Sequence, residues 1–159
     1  MRNSKRFHEL LLQYEATSVG KRTQIFWEMK SKAKTFADWD AVYQYAGSSL
    51  RKDAQREMER LVLKGDTTSD IQLNILELFM IIDEADKSAI LSMYVKKHHG
   101  KDDLLFALSE ADWSEDGLLV VELWNKLEAF YKASDGIKRG LNARHKRSKK
   151  LLEKSTFNP

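Results

Sequence analysis

Proline is confined to a single position of this 159-residue chain, the last residue, Pro159. Proline breaks helices because it lacks a backbone N–H and its ring collides with the preceding turn, so no such break occurs before that position. The seven glycines instead separate segments whose apolar residues recur at helical spacing. The sequence therefore predicts an all-α fold of about eight to nine short helices in antiparallel hairpins, arranged as a helical repeat or as an irregular bundle.

The segment 34–61 shows the predicted unit most clearly, because it contains two helices and their turn. Thr35 and Asp38 have the spacing of a capping box, which predicts a helix that begins at Phe36. Gly47 is predicted to end this helix in the left-handed conformation. The apolar residues at helical spacing are Trp39, Val42, Tyr43 and Ala46.

A second helix is predicted to follow at once, capped by Ser48 or Ser49 and ended by Gly65. Its inner face is Leu50, Ala54, Met58, Leu61 and Val62. Two helices are predicted before this pair, over 4–16 and 19–34, and others after it, starting near Thr67, at Asp86 or Ser88, before Leu104 and at Ser114.

The segment 71–82 is apolar on nearly all sides of a helix. One stripe is Ile71, Ile75, Leu78, Phe79 and Ile82, and the off-stripe apolar residues are Leu73, Leu76, Met80 and Ile81. A helix that is hydrophobic all round is typical of a core, so this segment is predicted to form the central, most buried helix.

A weak internal repeat accompanies these helices. Glu28-Met29 and Glu57-Met58 recur 29 positions apart, and Met93 with Gly100 repeats the 7-residue spacing of Met58 and Gly65. The period resembles that of helical-hairpin repeats of the HEAT or tetratricopeptide kind over roughly 26–111, although the tetratricopeptide consensus residues are missing. An irregular bundle remains the alternative.

Charge is segregated along the chain. Residues 1–65 carry 13 Lys and Arg against 8 Asp and Glu, residues 66–131 carry 5 against 14, and residues 132–159 carry 9 against 2. The ends are therefore basic (+5 and +7) and the middle is acidic (−9), which sums to +3. We expect a helical domain over 1–133 and a basic C-terminal helix or tail over 134–159.

The basic C-terminal segment has the charge of a phosphate-backbone contact without base readout. A solubilising tail, or a segment that folds onto the acidic residues 66–131 of the same or another copy, is the alternative. The predicted contacts to nucleic acid or to an acidic partner are Lys138, Arg139, Arg144, Lys146, Arg147, Lys149 and Lys150.

Two aromatic residues lie off the predicted inner stripes and close in sequence to lysines. Trp27 and Tyr45 are therefore candidates to face a partner, since aromatics beside lysines stack on bases or pack in interfaces. Packing inside the fold is the competing interpretation.

Motifs for catalysis or metal binding are incomplete. Asp83-Glu84-Ala85-Asp86 has the letters of a helicase box, but the sequence contains no phosphate-binding loop. His8-Glu9 starts like a zinc-protease helix, yet Leu12 stands where the second histidine is required. One group contains residue types that bind metals, namely His98, His99, Asp102 and Asp103. Adjacent histidines on a helix point about 100° apart, which works against binding one metal ion.

The sequence contains no cysteine, which fits a reducing compartment, and the longest apolar run near the start is only 10–12. We therefore expect a cytoplasmic protein without a membrane partner, a cofactor, a metal or catalytic residues. The predicted function is a small non-enzymatic protein-binding helical protein, adaptor or inhibitor-like. The alternative is a nucleic-acid-binding accessory protein that uses the basic C-terminal segment, and the sequence leaves homo-oligomerisation open.

Overall fold

The computed structural model describes residues 2–113 and 117–131, and every regular element in this part of the chain is helical. The prediction of an all-α fold is confirmed. In these residues eight α-helices follow one another, with a short 3₁₀ helix, Val19–Lys21, before the second. They are α1 (Lys5–Ala16), α2 (Thr23–Lys32), α3 (Phe36–Tyr45), α4 (Ser48–Leu61), α5 (Thr68–Phe79), α6 (Glu84–Lys97), α7 (Lys101–Trp113) and α8 (Gly117–Tyr131).

The described residues divide into two compact units, with the division between Ile81 and Ile82. In the first unit α1 packs on α2, α2 on α3, α3 on α4 and α4 on α5. In the second unit α6 packs on α7 and α7 on α8. Sequential neighbours thus pack as hairpins, as predicted. The predicted boundary between 133 and 134, and the helix predicted after it, lie outside the described residues and stay predictions.

The capping box that begins α3 is confirmed. Thr35 Oγ1 accepts a hydrogen bond from the Asp38 backbone N–H at 3.2 Å, and helix α3 starts at Phe36. Apolar residues from all four of the first helices meet beside it in one buried cluster. The buried members are Phe7, Leu10, Tyr14, Phe26, Met29, Val42, Ala46 and Ala54, with Trp39, Tyr43 and Leu50 partly buried against them.

The carboxylate of Asp38 is fully buried and ties the start of α1 to the start of α3. Its Oδ1 accepts from Asn3 Nδ2 and from the Ser4 backbone N–H, both at 3.0 Å. Its Oδ2 accepts from Ser4 Oγ at 2.7 Å and from the backbone N–H groups of Lys34 at 2.9 Å and Thr35 at 3.2 Å. Five donors therefore compensate the desolvation of this one buried charge.

The turn between α3 and α4 differs from the prediction. Gly47 is not left-handed: it is extended, with φ −74° and ψ 169°, and forms the N-cap of α4. Helix α4 begins at Ser48, so neither Ser48 nor Ser49 caps it, and no side chain hydrogen-bonds to its first turn. The extended backbone of Ala46 already ends α3, which leaves no left-handed position to fill.

Two other helix starts were misplaced. Helix α2 begins at Thr23 instead of Val19, because the Arg22 side chain donates to the Thr17 carbonyl at 2.7 Å and the chain turns there. Helix α6 begins at Glu84, with Asp83 as N-cap, so its start precedes Asp86. The acidic segment 83–86 therefore forms the start of α6, where the positive end of the helix dipole favours acidic side chains. The start predicted at Ser114 lies outside the described residues.

The repeated methionines share an environment in only two of the three copies. Met29 and Met58 are fully buried, whereas Met93 is 55% exposed. The arrangement of helices in the described residues is consistent with either a helical bundle or a repeat. Within the described residues, no helix is both long enough and apolar enough to cross a membrane.

Candidate protein-binding surface

Helix α5 starts with a side-chain cap and buries one apolar face. Thr67 Oγ1 accepts from the Asp70 backbone N–H at 3.1 Å, which fixes the helix start at Thr68. The predicted inner stripe is confirmed, since its residues are all buried: Ile71, Ile75, Leu78, Phe79 and Ile82.

The prediction that α5 is buried all round is wrong. Leu73 is 49% exposed, Leu76 is 40% exposed and Met80 is 81% exposed. Helix α5 contacts α4, and these three side chains lie outside its buried stripe. We call Leu73, Leu76 and Met80 the α5 surface.

The spacing of the α5 surface is that of a helix-packing seam. Its members lie three and then four positions apart, and exposed Ser69 extends the row by four more. Spacings of three and four place side chains on one stripe of an α-helix, as in the a and d positions of a coiled coil. Such a stripe is shaped to receive the apolar face of another helix.

The charge beside the α5 surface is negative. Residues 66–81 contain Asp66, Asp70 and Glu77 and no Lys or Arg. The hydrogen bond with Thr67 lowers the pKa of Asp70, so this carboxylate keeps its charge through neutral and mildly acidic pH. A partner with basic residues flanking its apolar seam would complement this surface.

Trp27 is half exposed, at 50%, and its indole is partly held within the fold. The ring makes an edge contact with Phe26 at a centroid distance of 5.8 Å, and Lys30 Nζ lies 5.3 Å from the ring centroid. The same ammonium lies 3.8 Å from Asp53 Oδ2. The exposed part of the ring is available to a partner, and this role stays a prediction.

Tyr45 is 39% exposed, but it joins α3 to α1. Its ring lies 4.7 Å from that of Tyr14, and its hydroxyl donates to Glu15 Oε1 at 3.1 Å. Burial and the hydrogen bond to Glu15 raise the pKa of Tyr45. These contacts account for Tyr45 within the fold, and a partner-facing role stays a prediction.

The group of His98, His99, Asp102 and Asp103 forms a helix junction. His98 stacks on Tyr94 at a ring distance of 5.0 Å, and His99 is exposed. Asp103 accepts from the Tyr94 hydroxyl at 2.7 Å and from the Gly100 backbone N–H at 3.3 Å, so it fixes the start of α7. Among the described residues, no three His, Cys, Asp or Glu side chains are placed to hold one metal ion.

The basic residues predicted as nucleic-acid or acidic-partner contacts lie outside the described residues, and their role stays a prediction. They are Lys138, Arg139, Arg144, Lys146, Arg147, Lys149 and Lys150.

Comparison with known protein families, with curated proteins and with solved structures finds no match. We therefore base the functional proposal on exposure, spacing and charge in the described residues. Sequence reasoning missed the α5 surface, although its signal was present as a second apolar stripe at helical spacing. Two apolar stripes on one helix indicate either complete burial or one free surface, and the number of neighbouring helices decides which.

Proposed function

We propose that this is a small non-enzymatic protein-binding protein, adaptor or inhibitor-like, and that its α5 surface receives a helix of the partner. The observation that carries the proposal is the exposure of three large apolar side chains in one stripe, with Met80 81% exposed. Isolated exposed apolar residues are ordinary on protein surfaces, whereas an aligned row of them is typical of a binding surface.

The partner that fits is an amphipathic helix with apolar residues at three- and four-residue spacing and Lys or Arg on its flanks. Asp66, Asp70 and Glu77 provide the opposite charge. Burial of the α5 surface against the apolar face of the partner would supply most of the affinity. The charges would set the orientation and the rate of association. Methionine suits this position, because its flexible side chain adapts to the shape of the partner.

The expected loss of affinity follows from the apolar area that binding removes from water. Burying an exposed Leu or Met side chain is worth about 1.5–3 kcal/mol. Placing a charge at two of these positions in the bound state should therefore weaken binding by about 100-fold or more, since each 1.4 kcal/mol is a factor of ten. The fold should persist, since Leu76 and Met80 point away from the core.

The test uses the intact chain and the double variant Leu76→Glu with Met80→Glu. A matched control is Leu12→Glu, because Leu12 is 54% exposed and belongs to α1 instead of α5. Proteins captured from an extract of the native host are identified, and the purified candidate is titrated by calorimetry against all three chains. We expect the double variant to lose affinity by about 100-fold and the control to change less than about threefold.

Equal affinity for the intact chain and the double variant, with helical circular dichroism unchanged, would contradict the proposal. A parallel titration with duplex and single-stranded nucleic acid at low salt tests the other predicted function. Binding that weakens steeply with salt, in the absence of a protein partner, would favour the basic C-terminal segment instead.

A further inference from the structure

The first unit carries a second exposed patch, which α2 and α4 form around the indole of Trp27. Trp27 is 50% exposed, and Lys30 Nζ lies 5.3 Å from the centroid of its ring. The same ammonium lies 3.8 Å from Asp53 Oδ2, and Arg56 Nη1 lies 4.0 Å from Asp53 Oδ1. An unbroken set of contacts therefore connects the indole to α4. We call Trp27, Lys30, Lys52 and Arg56 the Trp27 surface.

The Trp27 surface is positively charged. The Arg56 side chain is 78% exposed, and exposed Lys52 lies four positions before it on the same face of α4. Among the described residues Lys52 lies in no ion pair, whereas Lys30 and Arg56 share the single carboxylate of Asp53. Glu28, which follows Trp27 in the sequence, is already paired with an arginine of α1 at 2.7 Å. Three cations thus face one carboxylate, and the patch attracts an acidic surface.

The α5 surface has the opposite character. Its three apolar side chains lie beside Asp66, Asp70 and Glu77, and residues 66–81 contain no Lys or Arg. The Trp27 surface supplies the matching groups, because an indole and the aliphatic stems of Lys and Arg pack on apolar side chains while the charged ends meet carboxylates. Two copies of the α5 surface would instead bring carboxylates together, and two copies of the Trp27 surface would bring cations together. The chain therefore carries two unlike surfaces that complement each other.

The two surfaces do not cover each other within one copy. Met80 is 81% exposed and the Arg56 side chain is 78% exposed in the same molecule. The surfaces share no residue, so the use of one does not consume the other. A contact between them therefore joins two copies of the chain.

We infer that a second copy of this chain docks its Trp27 surface on the α5 surface, so that copies associate head to tail. The indole would pack against Met80, since methionine sulfur makes favourable contacts with aromatic rings. The cations of α4 would face the carboxylates of residues 66–77. Each contact leaves one surface free at either end, so the contact continues into a ring or an open chain. The inference rests on the proposed function, because it names a partner for the α5 surface.

The test is sedimentation velocity of the intact chain over a range of concentrations at low ionic strength. We expect reversible association with a dissociation constant of about 10–100 µM, because a contact the size of one helix stripe lies at the small end of specific interfaces. Added salt should weaken the association, since the charges are exposed. Lys52→Glu with Arg56→Glu should weaken it by about tenfold or more, and Leu76→Glu with Met80→Glu by about 100-fold.

A mixture of the two double variants tests the head-to-tail contact directly. One variant keeps only its Trp27 surface and the other keeps only its α5 surface, so each should be monomeric alone where the intact chain associates. An equal mixture should form a one-to-one complex with the affinity of the intact chain and nothing larger. Lys5→Glu with Lys21→Glu is the matched control, because it changes the net charge equally at two exposed cations outside both surfaces. This control should associate like the intact chain, and circular dichroism checks that every variant is folded.

Four results would overturn the inference. One is a monomer mass for the intact chain up to about 1 mM, where even weak specific contacts form. Another is association that survives Lys52→Glu with Arg56→Glu, which would place another part of the chain on the α5 surface. The third is an equal loss of association in the control, and the fourth is an equal mixture that stays monomeric. A monomeric chain whose variant at Leu76 and Met80 still loses affinity for a captured protein would refute this inference alone and leave the proposed function standing.

Discussion

Replacing Asp38 by asparagine keeps the size of a fully buried side chain and removes its charge. The carboxylate accepts five hydrogen bonds, two at Oδ1 and three at Oδ2. An amide has one oxygen, so its NH₂ group must face either two or three of the five donors. The Ser4 hydroxyl and the Asn3 amide can turn to accept from the NH₂ group, but the backbone N–H groups cannot, so one or two of these lose their acceptor and meet another donor.

The magnitude follows from the number of donors left without an acceptor. A donor stranded in a buried place costs about 1–3 kcal/mol. The hydrogen bonds from Ser4, Lys34 and Thr35 to Asp38 are part-buried, so the lower end of that range applies. One or two such N–H groups at about 1 kcal/mol each, together with the weaker hydrogen bonds that a neutral amide accepts from the remaining donors, give a destabilisation of about 2–3 kcal/mol for Asp38→Asn.

The assay is urea unfolding followed by far-ultraviolet circular dichroism at pH 7. Asp40→Asn is the matched control, because Asp40 is in the same helix and, among the described residues, receives only a long hydrogen bond, 3.5 Å, from Gln44. Burial raises the pKa of Asp40, which means that its charged form is disfavoured in the folded state. The control should therefore leave the free energy of unfolding unchanged or raise it slightly at pH 7.

A loss of less than about 1 kcal/mol for Asp38→Asn, or an equal loss in both variants, would refute the reasoning. It would mean that water replaces the carboxylate and that the start of α1 is held by apolar packing alone. Faster amide exchange in the first turn of α1, in Asp38→Asn but not in Asp40→Asn, would support the reasoning independently.

Two further predictions test packing and titration. Gly65→Ala should destabilise by about 1–3 kcal/mol in the same assay, because a Cβ would lie 2.9 Å from Ile71 Cγ1 and 3.0 Å from the Ile71 backbone nitrogen. Gly20→Ala, whose Cβ would meet nothing within 4 Å, should be neutral or stabilising, and equal losses in the two variants would contradict the packing argument. Burial raises the pKa of Glu110, so the protonated form is favoured in the folded state, and stability should fall as pH rises through that pKa. Glu110→Gln should therefore raise the melting temperature at pH 7 and leave it unchanged near pH 3, where both states are protonated; no gain at pH 7 would be the contrary result.

The sequence alone predicted structural features whose interacting residues are close together in the chain. The capping box of α3 needs only Thr35 and Asp38, three positions apart, and it was predicted correctly. The inner stripes of α4 and α5 were predicted from spacing, because one helical period decides which residues share a face.

Features whose interacting residues are far apart in the chain could not be predicted from the sequence. The capping box marks Asp38 as an N-terminal acid but gives no sign that Asn3 and Ser4 also donate to it. The exposure of Leu73, Leu76 and Met80 depends on how many helices surround α5, which no local pattern contains. A cleft in the first unit is likewise lined by Arg2, the start of α3 and the start of α5, which lie far apart in the chain.

The start of α1 has a consequence for the order in which the chain folds. Ser4, its N-cap, makes no side-chain hydrogen bond within α1 and donates instead to Asp38, 34 positions later. During synthesis from the N-terminus, the apolar residues of α1 are therefore made before Asp38, the acceptor for the N-cap residue of this helix. An isolated peptide of residues 2–17 should fray from its first turn, since short uncapped helices are marginal in water. The same residues should become a fixed helix only in a nascent chain that has grown past Asp38.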